Sequence, residues 1–475
     1  MHNPTFYWHD YETWGANPQL DRPAQFAGIR TDADLQPIGR PLSIYAQPTP
    51  DFLPHPRAVL VTGITPQQAL NQGMHEAAFA AKIHAEFSQP NTTIVGYNSI
   101  NFDDEVSRHL LYRNFYDPYA YSWQEQSSRW DLIDLVRACY ALRPEGIEWP
   151  QKDDGRVSMR LEDLTRANGI AHGNAHDALS DVRATISLAQ LLKRAQPKLF
   201  DYAFRIRHKR DIQQLIGLHN FTALAHISSW YGAEQGYLSL ILPLAYHPKQ
   251  PNNLIYWDLR CDPSVFADAS VEQMQQRRFT KRRDLQGQEA FGGQTLGINR
   301  CPFLAPSNVL TAPVCERWQL DLKRFEQHRQ TLIEQPELRQ RIIDALTEQR
   351  DFDAVDDPDL MLYSGPFFSP QDRANMDIIR ATSPEQLAGI ALNVADARIP
   401  EMLFRYRARN FPATLSADEL ERWRQFCRQR LLQPPRGGLS LSSFAEQLEQ
   451  AAEEHQDEPH KLRLLHDLYR YVESL

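Results

Sequence analysis

Cysteine is scarce in this chain, and its spacing excludes two structural uses of that residue. The 475 residues contain five cysteines, which lie far apart and include no Cys-x-x-Cys pair. An odd number of scattered thiols builds neither the disulfide framework of a small secreted domain nor a cysteine zinc site. We therefore expect reduced cysteines in a cytoplasmic protein.

Long apolar segments are missing as well. The longest apolar run, Tyr237 to Tyr246, has about half of the ~20 residues that a membrane span needs, and it contains Pro243. The first residues, Met-His-Asn-Pro-Thr, lack the basic stretch and apolar core of a secretory signal. We expect no membrane association and a cytoplasmic location.

An excess of positive charge is the third missing feature. The formal net charge of -9 excludes a surface that is basic throughout, but it leaves room for a local basic groove. The composition, 42% hydrophobic and 23% charged, is that of an ordinary globular protein. A chain of this length exceeds one hydrophobic core, so two or three domains are expected.

Acidic residues stand out at the end of the first predicted strand. The apolar run Phe6-Tyr7-Trp8 leads into His9-Asp10-Tyr11-Glu12-Thr13. Because side chains alternate along a strand, Asp10 and Glu12 point to the same face. Converging carboxylates repel each other unless a cation lies between them, and oxygen ligands suit Mg²⁺ or Mn²⁺. On this pair alone, an edge strand with two solvated acids is the favoured interpretation, so the metal hypothesis needs further residues.

The pattern of segments predicts three domains. Residues 1–196 alternate β-like runs with amphipathic helices, which predicts an α/β domain. Residues 197–350 hold short β-like runs between turns and then helix, which predicts a small antiparallel barrel or sandwich with a helical end. After an acidic connector, residues 351–475 predict helices to the end. The later strands expected in the first domain are 25–29, 42–46 and 92–97, with 58–62 as a further short segment.

Three more residues extend the acidic pair. Asp103 opens a helix after the strand at 92–97, and His176 and Asp181 lie at the start of the long helix that ends the first domain. Acids in a first helical turn are also favoured by the helix dipole, and a histidine at a helix start often serves only as a cap. Capping is therefore an open alternative for each residue taken singly.

A separate patch, Phe404 to Phe411, interleaves three arginines with three aromatic residues. Arg405, Arg407 and Arg409 could follow a nucleic-acid backbone while the rings stack on bases. They could equally pair with neighbouring acids on an amphipathic helix. The sequence does not separate these two interpretations.

Taken in order, the motifs resemble a known family. Asp-x-Glu-Thr at the first strand, Asn98 with Phe102-Asp103, and a histidine five residues before Asp181 resemble the histidine subgroup of the DEDD 3′–5′ exonucleases. The segments HDYETWG, NFDDEVSRHLLYRNFYDPYAYSW, ANGIAHGNAHDALSDV and YRARNFPATL are similar to bacterial exonuclease I. One departure from the superfamily is that three residues, rather than two, separate Asn98 from Phe102. The resemblance implies an α/β ribonuclease H-like exonuclease domain, a Src-homology-3-like barrel domain and a C-terminal all-helical domain.

The resemblance also implies a two-metal site. Asp10 would bridge two Mg²⁺ ions, which Mn²⁺ could replace, with Glu12 and Asp181 as further ligands and Asp103 acting through water. His176 would be the general base for the attacking water. The adjacent acids Asp104 and Asp177 are expected only to cap helices. The residues expected to contact the substrate are Glu12, Thr13, Trp14, Phe102, Arg405, Arg407 and Arg409.

The implied activity is processive 3′ to 5′ hydrolysis of single-stranded DNA to 5′-mononucleotides, in DNA repair and recombination. The family also implies a monomer that binds the acidic C-terminal tail of single-stranded DNA-binding protein. A ribonuclease or proofreading subunit is one alternative, although the ~280 residues beyond the nuclease domain count against it. A nucleic-acid-binding scaffold that uses no metal is the other, and the presence of every motif residue counts against that.

Overall fold

The computed structural model describes residues 3–173, 177–281, 284–347 and 355–475. His176 and the predicted domain boundary between residues 350 and 351 lie outside these ranges. The chain divides into two compact units, each assembled from separate stretches of sequence. The first unit contains Met1–Ser128, His172–Ile186 and Asp353–Leu475, and the second contains Arg129–Ala171 and Ser187–Phe352.

The strands are short, as expected for a chain of alternating elements. They are β1 (Thr5–Thr13), β2 (Pro23–Thr31), β3 (Pro37–Tyr45), β4 (Thr92–Gly96), β5 (Ser128–Asp131), β6 (Leu224–Ile227), β7 (Leu238–Tyr246), β8 (Asn253–Asp258), β9 (Gly293–Gly297) and β10 (Phe303–Pro306).

The α-helices dominate the C-terminal part of the chain. They are α1 (Pro56–Thr62), α2 (Pro66–Gln72), α3 (Glu76–Phe87), α4 (Asp103–Arg113), α5 (Leu132–Leu142), α6 (Leu161–Ala167), α7 (Ala178–Ala195), α8 (Pro197–Arg205), α9 (Lys209–Leu215), α10 (Val271–Phe279), α11 (Ala312–Arg317), α12 (Leu322–Glu334), α13 (Pro336–Thr347), α14 (Pro370–Ala381), α15 (Arg398–Asn410), α16 (Ala417–Leu432), α17 (Leu441–Glu454) and α18 (Pro459–Glu473). Within the part of the chain that the structure describes, none of these helices is both long and apolar enough to cross a membrane.

The first sheet has the strand order β3-β2-β1-β4-β5 and places β1 at its centre. β1 pairs antiparallel with β2 and parallel with β4, so the predicted strands at 25–29, 42–46 and 92–97 are confirmed. The expectation of a β-like segment at 58–62 is wrong, because these residues belong to α1. His55 accepts the N–H of Arg57, Pro56 occupies the first turn, and Gly63 ends the helix with a φ of 69°.

The second sheet has the order β10-β6-β7-β8-β9, and every pairing in it is antiparallel. This sheet confirms the antiparallel β-structure predicted for the middle of the chain. Helices α11, α12 and α13 follow it, as the helical end of that segment predicted.

β1 is anchored through one face and leaves its acids on the other. Tyr7 and Tyr11 belong to an apolar cluster that also contains Phe26 of β2, Phe79 of α3 and Ile94 of β4. Because successive side chains point to opposite faces, this packing directs Asp10 and Glu12 away from the cluster. The strand is therefore a rigid support for the two carboxylates.

The C-terminal helices complete the first unit. Trp14, just after β1, is 1% exposed and shares an apolar cluster with Leu431 of α16, Phe444 of α17 and Leu468 of α18. Residues more than 400 positions apart in the sequence therefore form one core.

The first unit also contains buried charged side chains that pair with one another. Asp51 accepts contacts from Arg22 at 3.2 Å and from Arg409 of α15 at 2.9 Å, and both its side chain and that of Arg409 are almost fully buried. Arg22 also pairs with Glu76 at 3.1 Å, and Arg409 pairs with Asp359. We refer to Arg22, Asp51, Glu76, Asp359 and Arg409 as the buried ion network.

Candidate active site

Three of the predicted carboxylates meet at one point. Asp10 and Glu12 extend from β1, Asp181 extends from the first turn of α7, and their carboxylate oxygens lie within 4.8 Å of one another. Asp103, at the start of α4, accepts the backbone N–H of Tyr11 at 3.2 Å. Since Tyr11 lies between Asp10 and Glu12, this hydrogen bond fixes α4 against the acidic stretch of β1.

The electrostatics of the cluster favour a bound cation. Burial, together with the nearby charges of Asp103, Glu12 and Asp181, raises the pKa of Asp10 well above its usual range. Burial and the charges of Asp181 and Asp103 raise the pKa of Glu12 to about 9. A divalent ion would remove this repulsion, and an all-oxygen donor set suits a hard ion such as Mg²⁺ or Mn²⁺. The residues present therefore fit a metal site.

His172, which is not among the predicted site residues, touches this cluster. The ring of His172 lies with Nε2 2.5 Å from Oδ1 of Asp181, and its side chain is 9% exposed. The predicted histidine is His176, at the family's motif spacing, and that residue lies outside the described ranges. The only available signal for His172 was its position in the loop that leads into α7.

The two neighbouring acids were expected to be helix caps. Asp177 accepts the backbone N–H of Ser180 at 3.2 Å, so it caps the start of α7 as predicted, and it also accepts the side-chain amide of Gln25. Asp104 is buried in the first turn of α4. Its assignment as a cap stays a prediction.

A cavity of about 380 Å³ adjoins the carboxylates and is bounded by Glu12, Thr13 and Phe102 on one side. The other side is formed by α1, including Arg57 and Val61. Thr13 and Phe102 are predicted substrate contacts, whereas α1 is not among the predicted elements, because residues 58–62 have the pattern of a β-like segment.

The prediction that the Trp14 ring stacks on a base is not supported. Its side chain is buried among C-terminal helices rather than exposed in the cavity. An indole fixed in a packed core has no open face for a nucleotide. The bulky ring stabilises the fold at the end of β1.

The arginines of α15 are also structural, which corrects their predicted contact with DNA. Arg405 pairs with Asp359 at 3.1 Å, Arg407 with Glu419 at 2.6 Å, and Arg409 with Asp51 at 2.9 Å. All three side chains are buried. The alternative interpretation, in which these arginines pair with acids, is the one that the structure supports.

Family models cover nearly the whole chain. The model for exonucleases matches residues 7–189, that of the Exonuclease I SH3-like domain matches residues 207–348, and that of the Exonuclease I C-terminal domain matches residues 356–475. With the carboxylate cluster, these matches define a 3′–5′ exonuclease. They also confirm the predicted fold: an α/β ribonuclease H-like domain, a Src-homology-3-like domain and a helical C-terminal domain.

Comparison with individual proteins shows to which family of 3′–5′ exonucleases the chain belongs. Exodeoxyribonuclease I of Escherichia coli (strain K12) is 46% identical over 471 residues, which cover 99% of this chain and 98% of the relative. The crystal structure of E. coli Exonuclease I with a dA16 oligonucleotide matches with a TM-score of 0.96 at 46% identity, covering 99% of this chain and 100% of that one. A zinc-bound complex of the E. coli enzyme with single-stranded DNA gives a TM-score of 0.94 at 45% identity, with 99% of each chain covered. The chain belongs to the exodeoxyribonuclease I family.

Proposed function

We propose that this protein is an exodeoxyribonuclease that degrades single-stranded DNA from the 3′ end and releases 5′-mononucleotides processively. The convergence of Asp10, Glu12 and Asp181 within 4.8 Å of one another is the observation that carries the proposal. Three carboxylates held by a central strand and one helix start are well suited to phosphodiester hydrolysis, in which negative charge must be neutralised. The role is in DNA repair and recombination.

The proposed cofactor is Mg²⁺, with two ions in the active site and Mn²⁺ as a substitute. Asp10, Glu12 and Asp181 would hold them, with Asp103 assisting through water. When bound, such ions lower the pKa of water and neutralise charge on the phosphate. Asp103 has a second function, since its hydrogen bond to Tyr11 fixes the geometry of the strand.

The remaining steps fall to this chain's own side chains. His176 is proposed to take the proton of the attacking water, since an imidazole with an ordinary pKa of about 6.5 can accept it near neutral pH. The cavity beside Glu12 would receive the 3′-terminal nucleotide, with Phe102 available for its base and Thr13 at its edge. The Thr13 hydroxyl donates to the carbonyl of Gly15 at 2.6 Å. Thr13 would therefore bound the nucleotide cavity sterically, because its hydroxyl proton is already used in this hydrogen bond.

A cleavage assay tests this function. The substrates are a 5′-labelled single strand, a 3′-blocked copy and a blunt duplex, each with Mg²⁺ and with EDTA. We expect mononucleotides only from the open 3′ end of the single strand, only with metal, and a loss of product in Asp10→Ala. Asp34→Asn, an exposed acid of the β2–β3 turn, is the matched control and should cleave like the unaltered protein. Binding of the strand without cleavage would instead favour the scaffold alternative.

We also propose a site for the acidic C-terminal tail of single-stranded DNA-binding protein. The second unit has a cavity of about 370 Å³, bounded by apolar residues that include Leu142, Tyr202 and Phe303, with the exposed basic residues Arg143 and Lys198 at its edge. Apolar walls beside cations suit a peptide that combines carboxylates with apolar side chains. In a binding titration with the tail peptide, Arg143→Glu should weaken binding strongly. A peptide with an amidated C-terminus tests whether the terminal carboxylate contributes to the affinity.

We also propose that the protein is monomeric and cytoplasmic. Sedimentation equilibrium over a range of protein concentrations tests the first part, and a constant mass corresponding to one chain is expected. Cell fractionation tests the second.

A further inference from the structure

Two side chains from outside α7 hold the start of this helix, which carries Asp181. One of them is Gln25 of β2, which is 2% exposed and lies directly opposite Glu12 in the pairing of β1 with β2. Residues opposite each other on antiparallel strands direct their side chains to the same face, so the Gln25 amide stands on the face that carries the acids. The sheet therefore brings this amide beside the carboxylate cluster.

The Gln25 amide uses both of its ends on the start of α7. Its oxygen accepts the backbone N–H of Ala178 at 3.4 Å, which is one of the N–H groups that a first helical turn leaves without a partner inside the helix. Its nitrogen donates to Oδ1 of Asp177 at 3.2 Å. Since an N–H group donates and an ionised carboxylate accepts, the two contacts agree on the orientation of the amide. Gln25 therefore joins β2 to the start of α7.

Asp177 connects Gln25 to Asp181. The carbonyl of Asp177 accepts the backbone N–H of Asp181 at 3.0 Å, and its Oδ2 accepts the backbone N–H of Ser180 at 3.2 Å. With Oδ1 bound to Gln25, both carboxylate oxygens of Asp177 serve to fix the first turn of the helix. This use accounts for the absence of Asp177 from the three acids that converge. A change at Gln25 would therefore move the backbone from which Asp181 extends.

The second side chain, His172, contacts the carboxylate of Asp181 itself. Its Nε2 lies 2.5 Å from Oδ1 of Asp181, and because an ionised carboxylate accepts, the Nε2–H group donates. Carboxylates that bind metal ions are held by outer hydrogen bonds of this kind, which fix their orientation. Gln25 thus fixes the backbone of Asp181, and His172 fixes its side chain.

We propose that Gln25 and His172 are positioning residues that hold the Asp181 carboxylate against Asp10 and Glu12 and thereby set the affinity of the site for a divalent ion. The inference rests on the proposed function, because that function places the ion at the three carboxylates. Carboxylates repel one another and separate unless other groups hold them. A site that must be reassembled on binding loses part of its binding energy to that step, whereas a site held in place does not.

The first measurement is the Kd for Mn²⁺ in the absence of DNA, obtained from the electron paramagnetic resonance signal of the free ion. Asp10→Ala, which removes a ligand, identifies the ions that belong to this site. Gln25→Met keeps the length of the side chain but removes both hydrogen bonds, and it should raise Kd about 10–100-fold. Gln36→Met is the matched control, because Gln36 is an exposed glutamine of the β2–β3 turn, and it should leave Kd unchanged. An unchanged Kd in Gln25→Met would overturn the proposal even if Tm fell, because a fall in Tm alone shows only a contribution to stability.

The second measurement applies the same titration to variants of His172. His172→Ala should raise Kd by a similar factor, and His172→Gln should restore most of the affinity, because its amide nitrogen can donate to Asp181 in place of Nε2. His466→Ala, at an exposed histidine of α18, is the control and should leave Kd unchanged. Because His172 lies in a loop, this arm decides the proposal even if Gln25→Met does not fold. Equal Kd values for His172→Ala and the unaltered protein would also overturn the proposal.

Cleavage of single-stranded DNA at saturating Mg²⁺ is assayed separately. If the variants lose affinity for Mn²⁺ but the unaltered protein never cuts, the nuclease function alone is refuted. If the unaltered protein cuts and the variants keep its Kd, the positioning roles alone are refuted. An unaltered protein that binds no Mn²⁺ at the carboxylates would refute both.

Discussion

Removing the charge at the centre of the buried ion network should cost far more stability than removing a charge on the surface. Asp51 contacts Arg22 and Arg409, and its side chain is fully buried. Asp51→Asn keeps the shape but leaves two buried guanidinium groups without this carboxylate. Breaking a buried ion pair by removing one partner costs about 3–5 kcal/mol. For a cooperative unit of about 150–250 residues, that corresponds to a fall in Tm of roughly 6–20 °C.

The effect should depend on pH in a definite direction. Burial alone would raise the pKa of Asp51, but the charges of Arg409 and Arg22 outweigh it and hold this pKa well below its usual range. A carboxyl group whose pKa is lowered on folding stabilises the protein above its unfolded pKa of about 3.9 and loses that contribution as the pH falls further. The difference between the two proteins should therefore be constant above about pH 5 and shrink below pH 4.

Thermal unfolding followed by circular dichroism, from pH 3 to pH 8, measures both effects. Glu454→Gln is the matched control, because it breaks an exposed contact with Arg57 of 3.3 Å. Such surface pairs contribute about 0–1 kcal/mol, so its Tm should hardly change. If Asp51→Asn lowered Tm no more than this control, the network would not stabilise the fold as we argue.

Three further predictions concern β1 and its surroundings. Without metal, stability should fall as pH rises from 6 to 9, because Glu12, with its pKa raised to about 9, binds a proton that the unfolded chain has released. Saturating Mg²⁺ should abolish this slope in Tm, and Glu12→Gln should reduce it but leave the contribution of Asp10, whose pKa is also raised; an unchanged slope in both cases would contradict the assignment. Trp14→Ala should lower the free energy of unfolding, measured in urea, by about 3–5 kcal/mol, whereas Phe102→Ala should mainly lower kcat/KM. The reverse pattern would contradict our placement of the two rings. Gly28→Ala should cost about 1–3 kcal/mol, because the added Cβ would lie 2.3 Å from the Tyr7 hydroxyl oxygen, and Tyr7→Phe in the same chain should restore part of the lost Tm.

Local rules predicted where the acids lie on their strand and helix, and the resemblance to the DEDD exonucleases joined them into one site. The two-residue period of a strand placed Asp10 and Glu12 on one face, and the structure brings them to Asp181. Asp103 at a helix start was predicted from the boundary after β4, and it lies there in α4. These predictions succeed because each depends on a few neighbouring residues.

Other features depend on partners that are remote in the sequence. The Arg409 side chain bonds Asp51, 358 positions away, so no local pattern indicated that the arginines of α15 are buried. Trp14 directly follows the Asp-x-Glu-Thr motif, which predicted a contact with the substrate. In the structure its ring shares an apolar cluster with Leu468 and Phe444. His172 lies in a loop whose path decides its contact with Asp181, and loop paths follow no hydrophobic period.

The joining of distant segments in the first unit has a consequence for biosynthesis. The Gln67 amide donates to the carbonyl of Asp467, 400 positions later, at 2.7 Å. At about 5–20 residues per second, a ribosome needs roughly 20–80 s to add the intervening chain. During that interval the surface around Trp14 lacks its covering helices, and such long-range contacts also form slowly after release. The nascent chain therefore carries an exposed apolar face for most of its synthesis, and such a face favours aggregation until the C-terminal helices cover it.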